Sequence, residues 1–450
     1  MPQQLRKTNA ARTWLVPVYF YCCTFLTATC AALFLHKGNQ TTLAALSNFT
    51  GTLVENLVHR GEYVTCSSGM TAVGNVLCFH ANRMPLSPYL LAGLVHIFGD
   101  HYRSVQVAKI ALVLLPVAAA FALAWTAPWP ASRQRIRMAI PVVLFSGLLL
   151  PTQLIDVINM QVEEGYSFCL LVYALAVLLF GMRREAGRTL MPWRTTLLFA
   201  ISVLCLYLAK SSMIAASLFL VLAFCWQVRA KRKQTAVALI FLCGPLSWGL
   251  YTFRTGHFSI GTSVDGIDLH KGNYFEFLER YPPRPPVTTI DLYDASLSHG
   301  RFFTNEWTFN AYHMRLAEDY MRAHPVRTMH ALLWKAEVFF FAIDKVGSER
   351  YSGWLGRVTT GSMLCFRLLL WSACGLAAWL LWRGPPTVRW GAFVFLGLTF
   401  SIALPYLVGF ALTRHASVLV LPTALFLCWC LFEIHSLERL RRSMSTRQPF

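Results

Sequence analysis

Seven side chains in this 450-residue chain are candidates for chemistry because they are charged or titratable and lie at the edges of long apolar runs. A carboxylate in such a place can take a proton from an attacking hydroxyl group. Lysine and arginine can neutralise a phosphate, and arginine can bind it through two parallel hydrogen bonds. The carboxylates are Glu55, Glu163 and Glu164, and the basic or titratable side chains are Arg83, Lys210, Arg414 and His415. Together they suit phosphate chemistry.

The apolar runs between these residues indicate a membrane protein. The chain is 56% apolar and only 14% charged, with a mean hydropathy of +0.47, whereas a soluble domain is about 25% charged. Long apolar blocks recur from Trp14 to Glu433 with one sizeable polar interruption. The bilayer is therefore the expected solvent, and the predicted fold class is an all-α polytopic membrane protein with about ten spans and amphipathic helices on its outer face.

Each predicted span is near the ~20 residues that a membrane-crossing helix needs, or somewhat shorter. The spans cover residues 14–35, 107–127, 138–150, 166–182, 195–209, 212–228, 235–252, 363–382, 390–410 and 416–434. Segment 138–150 could extend into the loop after it, and 195–228 could be one broken helix rather than a hairpin. The first run lacks a clear small-residue cleavage site before His36, which favours a retained span over a signal peptide.

The distribution of charge predicts how the chain sits in the membrane. Segments on the side of the N-terminus, counted with Glu433 at the end of the last span, carry 20 of the 40 Lys and Arg residues but only three of the 21 Asp and Glu residues. Cytoplasmic loops show this excess. We expect a multi-pass integral protein with both termini cytoplasmic, in the plasma (inner) membrane if the source is bacterial. The net charge of +19 then reflects orientation and contact with membrane lipids, not a nucleic-acid partner.

The opposite side receives the segments that contain the candidate chemistry. The predicted division is a transmembrane module over 1–252 with a first outer loop at 36–106, a large outer loop over 253–362, and C-terminal spans with a basic tail over 363–450. The large loop begins with a Pro-rich run at 281–286 and then turns amphipathic, around 307–320 and again at 326–341. The second amphipathic stretch could lie in the membrane interface or pack wholly on the protein.

Cysteines and metal-binding patterns give fewer indications. Most of the 13 cysteines lie within spans as small apolar residues, whereas Cys66 and Cys78 both lie in the first outer loop, where a disulfide is an open alternative to free thiols. The sequence has no nucleotide-binding glycine loop, HExxH or CxxC pair, so ATP-driven transport and zinc proteolysis lose support. No metal site is predicted, although Glu163 and Glu164 could bind a divalent cation or cap the following helix.

Four patches of sequence resemble a known group of enzymes. The patches are Glu55-Asn-Leu-Val-His-Arg-Gly-Glu-Tyr63 followed by Arg83-Met-Pro-Leu-Ser-Pro-Tyr-Leu-Leu-Ala-Gly-Leu-Val-His-Ile-Phe-Gly99; Glu163-Glu-Gly-Tyr-Ser-Phe168; His324-Pro325 leading into Lys335-Ala-Glu-Val-Phe-Phe340; and Thr413-Arg-His415. They are similar, in this order, to motifs of the GT-C membrane glycosyltransferases that use lipid-linked sugars, the group that contains protein O-mannosyltransferases and aminoarabinose transferases.

The resemblance implies a sugar donor carried on dolichyl or undecaprenyl phosphate and a glycan, lipid or protein as acceptor. It further implies a carboxylate base, for which Glu55, Glu62, Glu163 and Glu164 are available, with Glu55, Glu163 and Glu164 the predicted catalytic residues. The cations that would hold the donor phosphate are Arg83, Lys210, Arg414 and His415. One departure is that the family typically has an aspartate shortly before the Asn-Leu of the first patch, where this chain has Asn48. Either the base comes from elsewhere, or the chain is a lipid-glycan flippase or transporter without transferase activity.

Overall fold

The computed structural model describes most of the chain and confirms the predicted all-α class. The described ranges are 2–35, 41–46, 48–67, 74–127, 137–160, 163–181, 183–185, 188–273, 301–342, 354–411 and 413–445. The Pro-rich run at 281–286 lies outside them. The side chains of Asn48 and Arg414 are outside the described part as well, although both residues have helical backbone.

Helices account for nearly all regular structure in the first half of the chain. They are α1 (Pro2–Leu35), α2 (Thr42–Ala45), α3 (Asn48–Arg60), α4 (Leu86–Phe98), α5 (Tyr102–Thr126), α6 (Ala139–Leu149), α7 (Pro151–Ile158), α8 (Glu164–Phe180), α9 (Trp193–Ala209) and α10 (Ile214–Gln227). Two short antiparallel hairpins interrupt them. These pair β1 (Thr65–Ser67) with β2 (Leu77–Phe79), and β3 (Arg183–Glu185) with β4 (Arg188–Leu190).

The second half of the described chain is helical too. Its helices are α11 (Lys231–Arg254), α12 (Asp265–Asn273), α13 (Glu306–Ala323), α14 (Pro325–Phe340), α15 (Trp354–Arg383), α16 (Pro386–Val408) and α17 (Val420–Ser445). Short 3₁₀ segments, Ser211–Met213 and Thr413–Leu419, lead into α10 and α17. Helix α15 begins before the predicted loop boundary at residue 362, because the polar start of the helix precedes its apolar part.

Among the described residues, six helices are long and apolar enough to cross a membrane, and all six coincide with predicted spans. They lie in α1, α5, α11, α15, α16 and α17. The other four predicted spans correspond to α6, α8, α9 and α10, which are 11 to 17 residues long. The chain is thus an integral membrane protein by its helices, while the total of ten spans and the orientation of the termini stay predictions.

Residues 195–228 form a hairpin, which decides between the two readings of that segment. The ring of Phe199 in α9 stacks on Phe224 in α10, with 4.8 Å between ring centroids. The ammonium of Lys233, just after α10, donates to the carbonyl of Met191, just before α9. Since both outer ends of the pair lie together, Lys210 occupies the tip where the hairpin turns. Helix α6, by contrast, does not continue into the next loop, because the backbone is non-helical at Leu150.

Helix α8 runs through the centre of the bundle. Almost every side chain from Glu164 to Phe180 is buried, and the helix packs against α5, α9 and α17. A helix surrounded in this way must be apolar on all sides. The residues of α8 that follow Glu164 are almost all apolar. Its N-terminus therefore delivers Glu163 and Glu164 to one end of the bundle.

The outer segments converge at that same end of the bundle. The hydroxyl of Tyr251, in α11, donates to the carbonyl of Tyr63 in the first outer loop (3.2 Å). The ammonium of Lys335, in α14, donates to the side chain of Asn273 (3.0 Å) and to the carbonyl of Val408 (3.1 Å). These contacts join the first outer loop, the large loop and the ends of the spans into one cap.

Helix α14 does not pack wholly on the protein. Lys335 and Phe339 lie on its buried side. The opposite side exposes large apolar side chains, namely Val326, Met329 and Leu333. The sequence allowed this helix either to lie in the membrane interface or to pack wholly on the protein. One face on the protein and an apolar face outward fit the first alternative.

A close backbone approach makes Gly272 a sensitive position in the cap. A Cβ atom there would lie 1.8 Å from the carbonyl oxygen of Gly409, so α12 would have to move away from the end of α16. We expect Gly272→Ala to lower the unfolding free energy by on the order of 2–4 kcal/mol, seen as a lower thermal midpoint in detergent. Gly93→Ala is the control, since Gly93 is helical and has nothing within 4 Å of its would-be Cβ; an equal loss in both variants would contradict this packing.

Candidate functional site at one end of the bundle

Arg83 and Glu163 form the first of two acid–base pairs at the bundle end. Arg83 lies between β2 and α4, and Glu163 immediately precedes α8. One guanidinium nitrogen of Arg83 lies 3.8 Å from a carboxylate oxygen of Glu163, and the two side chains are 36% and 12% exposed. The Arg83 side chain is partly exposed, so the guanidinium can bind an anion from solvent.

Lys210 and Glu164 form the second pair, which is tighter and more enclosed. The ammonium of Lys210 donates to a carboxylate oxygen of Glu164 at 2.6 Å, with side-chain exposures of 17% and 6%. Burial lowers the pKa of Lys210, but Glu164, Tyr406 and Glu163 together raise it by more, so the net shift of the pKa is upward. Lys210 therefore stays charged across the physiological pH range.

Tyr406 links Lys210 to His415. The ammonium of Lys210 lies 5.6 Å from the centre of the Tyr406 ring, and the hydroxyl of Tyr406 shares a hydrogen bond of 3.0 Å with Ser212. His415 stacks on the same ring with 4.1 Å between centroids and is buried. Of the predicted substrate-binding residues, the structure thus brings Lys210 and His415 together through an aromatic ring that the sequence analysis did not single out.

Aromatic side chains hold the backbone of Arg83. The hydroxyl of Tyr63 donates to the Arg83 carbonyl (3.0 Å), and burial raises the pKa of Tyr63 well above its usual value, so the phenol keeps its proton. The Tyr63 ring stacks on Tyr89 (5.3 Å) and meets Trp248 and Tyr251 edge-on (6.1 and 5.8 Å). Since Tyr89 is exposed, this cluster presents an aromatic surface beside the guanidinium.

The turn between α7 and α8 is held from α5. The ammonium of Lys109 donates to the carbonyls of Asn159 (2.8 Å) and Val157, and the amide of Gln106 donates to Ile158. Both donors are buried. Lysine at this point satisfies the last carbonyls of α7 and opposes the negative end of its dipole. The arrangement fixes the turn that carries the two glutamates.

Glu306 anchors the first outer loop to α13. Its buried carboxylate accepts hydrogen bonds from the backbone amides of His80 and Ala81, each at 3.0 Å. The disulfide between Cys66 and Cys78, one of the two predicted alternatives, joins β1 to β2 in the same loop. Together these links place the segment that leads to Arg83.

We expect Glu306→Gln to destabilise the cap. A neutral amide accepts these amide hydrogens more weakly and brings its own N–H donors against them, which costs about 1–3 kcal/mol. Thermal unfolding in detergent measures the loss. Glu318→Gln is the matched control on α13, because Glu318 pairs with Arg322 at the surface, where such pairs contribute little. Equal midpoints for the two variants would show that Glu306 has no anchoring role.

The remaining sequence predictions have different outcomes. Glu55 lies in α3 and is exposed, and within the described ranges no hydrogen bond or ion pair joins it to another candidate. The side chain of Arg414 lies outside the described residues, although its backbone belongs to the 3₁₀ segment that positions His415. In the part of the chain that is described, no three His, Cys, Asp or Glu side chains are grouped so that they could hold a metal ion.

The structure also brings Asp265 to this end of the bundle. A hydroxyl of Ser211, the residue after Lys210, donates to the Asp265 carboxylate at 3.3 Å. The sequence does contain a local signal, because Thr262-Ser-Val-Asp265 matches the capping box that starts a helix. That signal predicts the start of α12 but not the contact with Ser211, which depends on the fold.

Comparisons with known proteins give one similarity of fold. No family model and no curated protein matches the chain. Among solved structures, the chain is similar to ArnT from Cupriavidus metallidurans bound to undecaprenyl phosphate, at 14% identity and a TM-score of 0.39, over 89% of this chain and 77% of that one. ArnT is a GT-C aminoarabinose transferase, the group that the four sequence patches resemble.

Proposed function

We propose that the chain is a membrane glycosyltransferase that moves a sugar from a polyprenyl-phosphate donor to an acceptor hydroxyl at the non-cytoplasmic face. The observation that carries the proposal is the pairing of Arg83 with Glu163 (3.8 Å) and of Lys210 with Glu164 (2.6 Å) at one end of the bundle. Charged groups at the ends of spans are costly to bury and are usually functional. A phosphate leaving group needs such cations.

In this proposal the two cations bind the donor phosphate. Arg83, which is partly exposed, binds phosphate oxygens through its guanidinium, and Lys210 supplies a fixed charge at the hairpin tip. As the bond between the sugar and the phosphate breaks, negative charge grows on the phosphate, and both cations stabilise it. Arg414 and His415 are assigned to the same phosphate because they follow α16 at this end of the bundle.

The two glutamates hold these cations in place. Glu163 faces Arg83 and Glu164 faces Lys210, so the proposal assigns both to charge balance and orientation rather than to a divalent cation. The exposed Tyr89, stacked on Tyr63, offers a flat surface beside Arg83 on which a sugar ring or a prenyl chain can pack. The acceptor, whether glycan, lipid or protein, would approach beneath the part of the cap that α12, α13 and α14 form.

The second candidate is a lipid-glycan flippase or transporter. The presence of Asn48 in place of the family's aspartate favours it, because an amide cannot act as a base. In a flippase the same cations would line a passage for the phosphate headgroup, and the sugar would remain attached to the lipid.

Sugar transfer by purified protein in lipid vesicles tests the proposal. A panel of synthetic polyprenyl-phosphate sugars is offered to wild type and to Arg83→Ala, Glu164→Gln and Arg414→Ala, with folding checked by thermal unfolding. Transfer by wild type that is lost in folded variants supports a transferase with this site. Binding of the donor lipids by wild type without transfer from any of them would contradict the transferase and favour the second candidate.

A further inference from the structure

The proposed reaction needs a group that accepts the proton of the attacking hydroxyl, and the carboxylates of the two pairs are poorly placed to do so. Glu163 and Glu164 each face a cation, and a carboxylate paired with a cation is a weaker proton acceptor than one surrounded by neutral donors. Glu306 is buried under two backbone amides, so an acceptor cannot reach it.

Asp265 has different surroundings. One of its oxygens accepts hydrogen bonds from the hydroxyls of Thr262 (2.6 Å) and Ser211 (3.3 Å), and the other accepts the backbone N–H of Thr262 (2.8 Å). These donors are all neutral, and the residue as a whole is of intermediate exposure. The hydrogen bonds that fix this carboxylate therefore come from neutral groups, unlike the contacts of Glu163 and Glu164 with cations.

Asp265 also contacts the hairpin tip that carries the proposed phosphate cation, Lys210. Ser211, which contacts it, directly follows Lys210 at the tip of the α9–α10 hairpin. Burial raises the pKa of Asp265 to about 6, against the lowering effect of the Thr262 and Ser211 hydrogen bonds. Asp268 on the same helix raises this pKa further, and Tyr207 in α9 is a neighbouring ionisable group. A carboxylate with a pKa just below the working pH is suited to general-base catalysis.

We infer that Asp265 is the general base of the proposed transfer and takes the proton of the acceptor hydroxyl. This inference rests on the proposed function. The acceptor O–H bond breaks with its proton passing to a carboxylate oxygen of Asp265, and the acceptor oxygen forms a bond to the anomeric carbon of the sugar. The bond from that carbon to the phosphate oxygen breaks, and its electron pair leaves with the polyprenyl phosphate, whose charge faces Lys210 and Arg83. Asp265 then returns its proton to water.

A purely structural role for Asp265 makes a different prediction. Its carboxylate accepts the backbone N–H and the hydroxyl of Thr262 and so holds the turn that leads into α12. Asparagine at 265 can still accept the backbone N–H of Thr262 but cannot accept a proton, whereas Thr262→Ala removes one of the two hydrogen bonds in this turn and keeps the carboxylate. A structural role therefore predicts that Thr262→Ala damages activity at least as much as Asp265→Asn, and a base predicts the reverse.

The test is the pH dependence of kcat and donor KM for wild type, Asp265→Asn and Thr262→Ala in vesicles, between about pH 5 and pH 9. If Asp265 is the base, wild-type kcat falls as the pH drops through about 6. In Asp265→Asn, kcat is lower by about 100-fold or more and the donor KM is unchanged. The kcat of this variant no longer falls as the pH drops through about 6. Thr262→Ala keeps most of the activity, and the pH at which its kcat falls moves upward, because the hydroxyl hydrogen bond that lowers the pKa of the Asp265 carboxyl is lost.

Two other outcomes separate this inference from the function on which it rests. Transfer by Asp265→Asn at a rate close to wild type, with the same fall at low pH, would overturn the role of Asp265 and leave the transferase intact. Failure of wild type to transfer sugar would overturn the transferase, and the general base with it.

Discussion

Lys210→Met is expected to abolish transfer and to destabilise the protein by about 3–5 kcal/mol. The substitution leaves the Glu164 carboxylate, which is 6% exposed, without its cation, and a buried charge that loses its partner carries this cost. It also removes a positive charge from the proposed leaving group, which lowers kcat by about 100-fold or more. Thermal unfolding in detergent and the vesicle transfer assay measure the two losses.

The double variant Lys210→Met/Glu164→Gln separates stability from function. Once both charges are gone, no unpaired charge stays buried, so we expect most of the lost stability to return. Activity should not return, because the cation is still missing. Recovery of transfer in the double variant would mean that Lys210 serves only to neutralise Glu164.

Arg83→Ala is expected to behave differently, with a large loss of activity and almost none of stability. The guanidinium is 36% exposed and lies 3.8 Å from Glu163, and such pairs contribute about 0–1 kcal/mol. The Tyr63 hydroxyl bonds the backbone carbonyl of Arg83, which the substitution leaves in place. We expect donor binding and kcat together to fall by about 100-fold.

Arg83→Lys is the matched control for that variant. It keeps the charge but replaces two parallel donors by one compact ammonium. Transfer should therefore be partly kept if the charge alone matters, and should be as low as in Arg83→Ala if the guanidinium fork is needed. A thermal midpoint of Arg83→Ala several degrees below wild type, with activity scaling to it, would instead assign Arg83 a structural role.

Local patterns were sufficient to predict the elements that carry the site. The apolar run after Glu164 predicts α8, and an acidic pair at the start of such a run places both glutamates at one end of the bundle. The same reasoning placed Arg83 and Lys210 at that end. The pairing itself was not predictable, because which cation faces which glutamate depends on how α8 packs against the α9–α10 hairpin.

Other features needed the fold for a physical reason. Apolar periodicity over 195–228 is the same for a broken helix and for a hairpin, and the two are distinguished by contacts such as the one between Phe199 and Phe224. Tyr406 lies within an apolar span like many tyrosines, and its role depends on contacts with Lys210 and His415 from distant segments. Glu55 was chosen from a motif, whereas the packing of α3 leaves its side chain exposed.

The most direct test of the central claim follows both the sugar and the lipid on the same protein. A polyprenyl-phosphate sugar labelled in both parts is placed in one leaflet of vesicles that contain wild type or Arg83→Ala, with acceptor on the side that corresponds to the cap. We expect wild type to release the sugar to the acceptor and to leave polyprenyl phosphate in its original leaflet, and we expect Arg83→Ala to lack this activity. Appearance of the intact lipid-linked sugar in the opposite leaflet, without transfer, would contradict that claim.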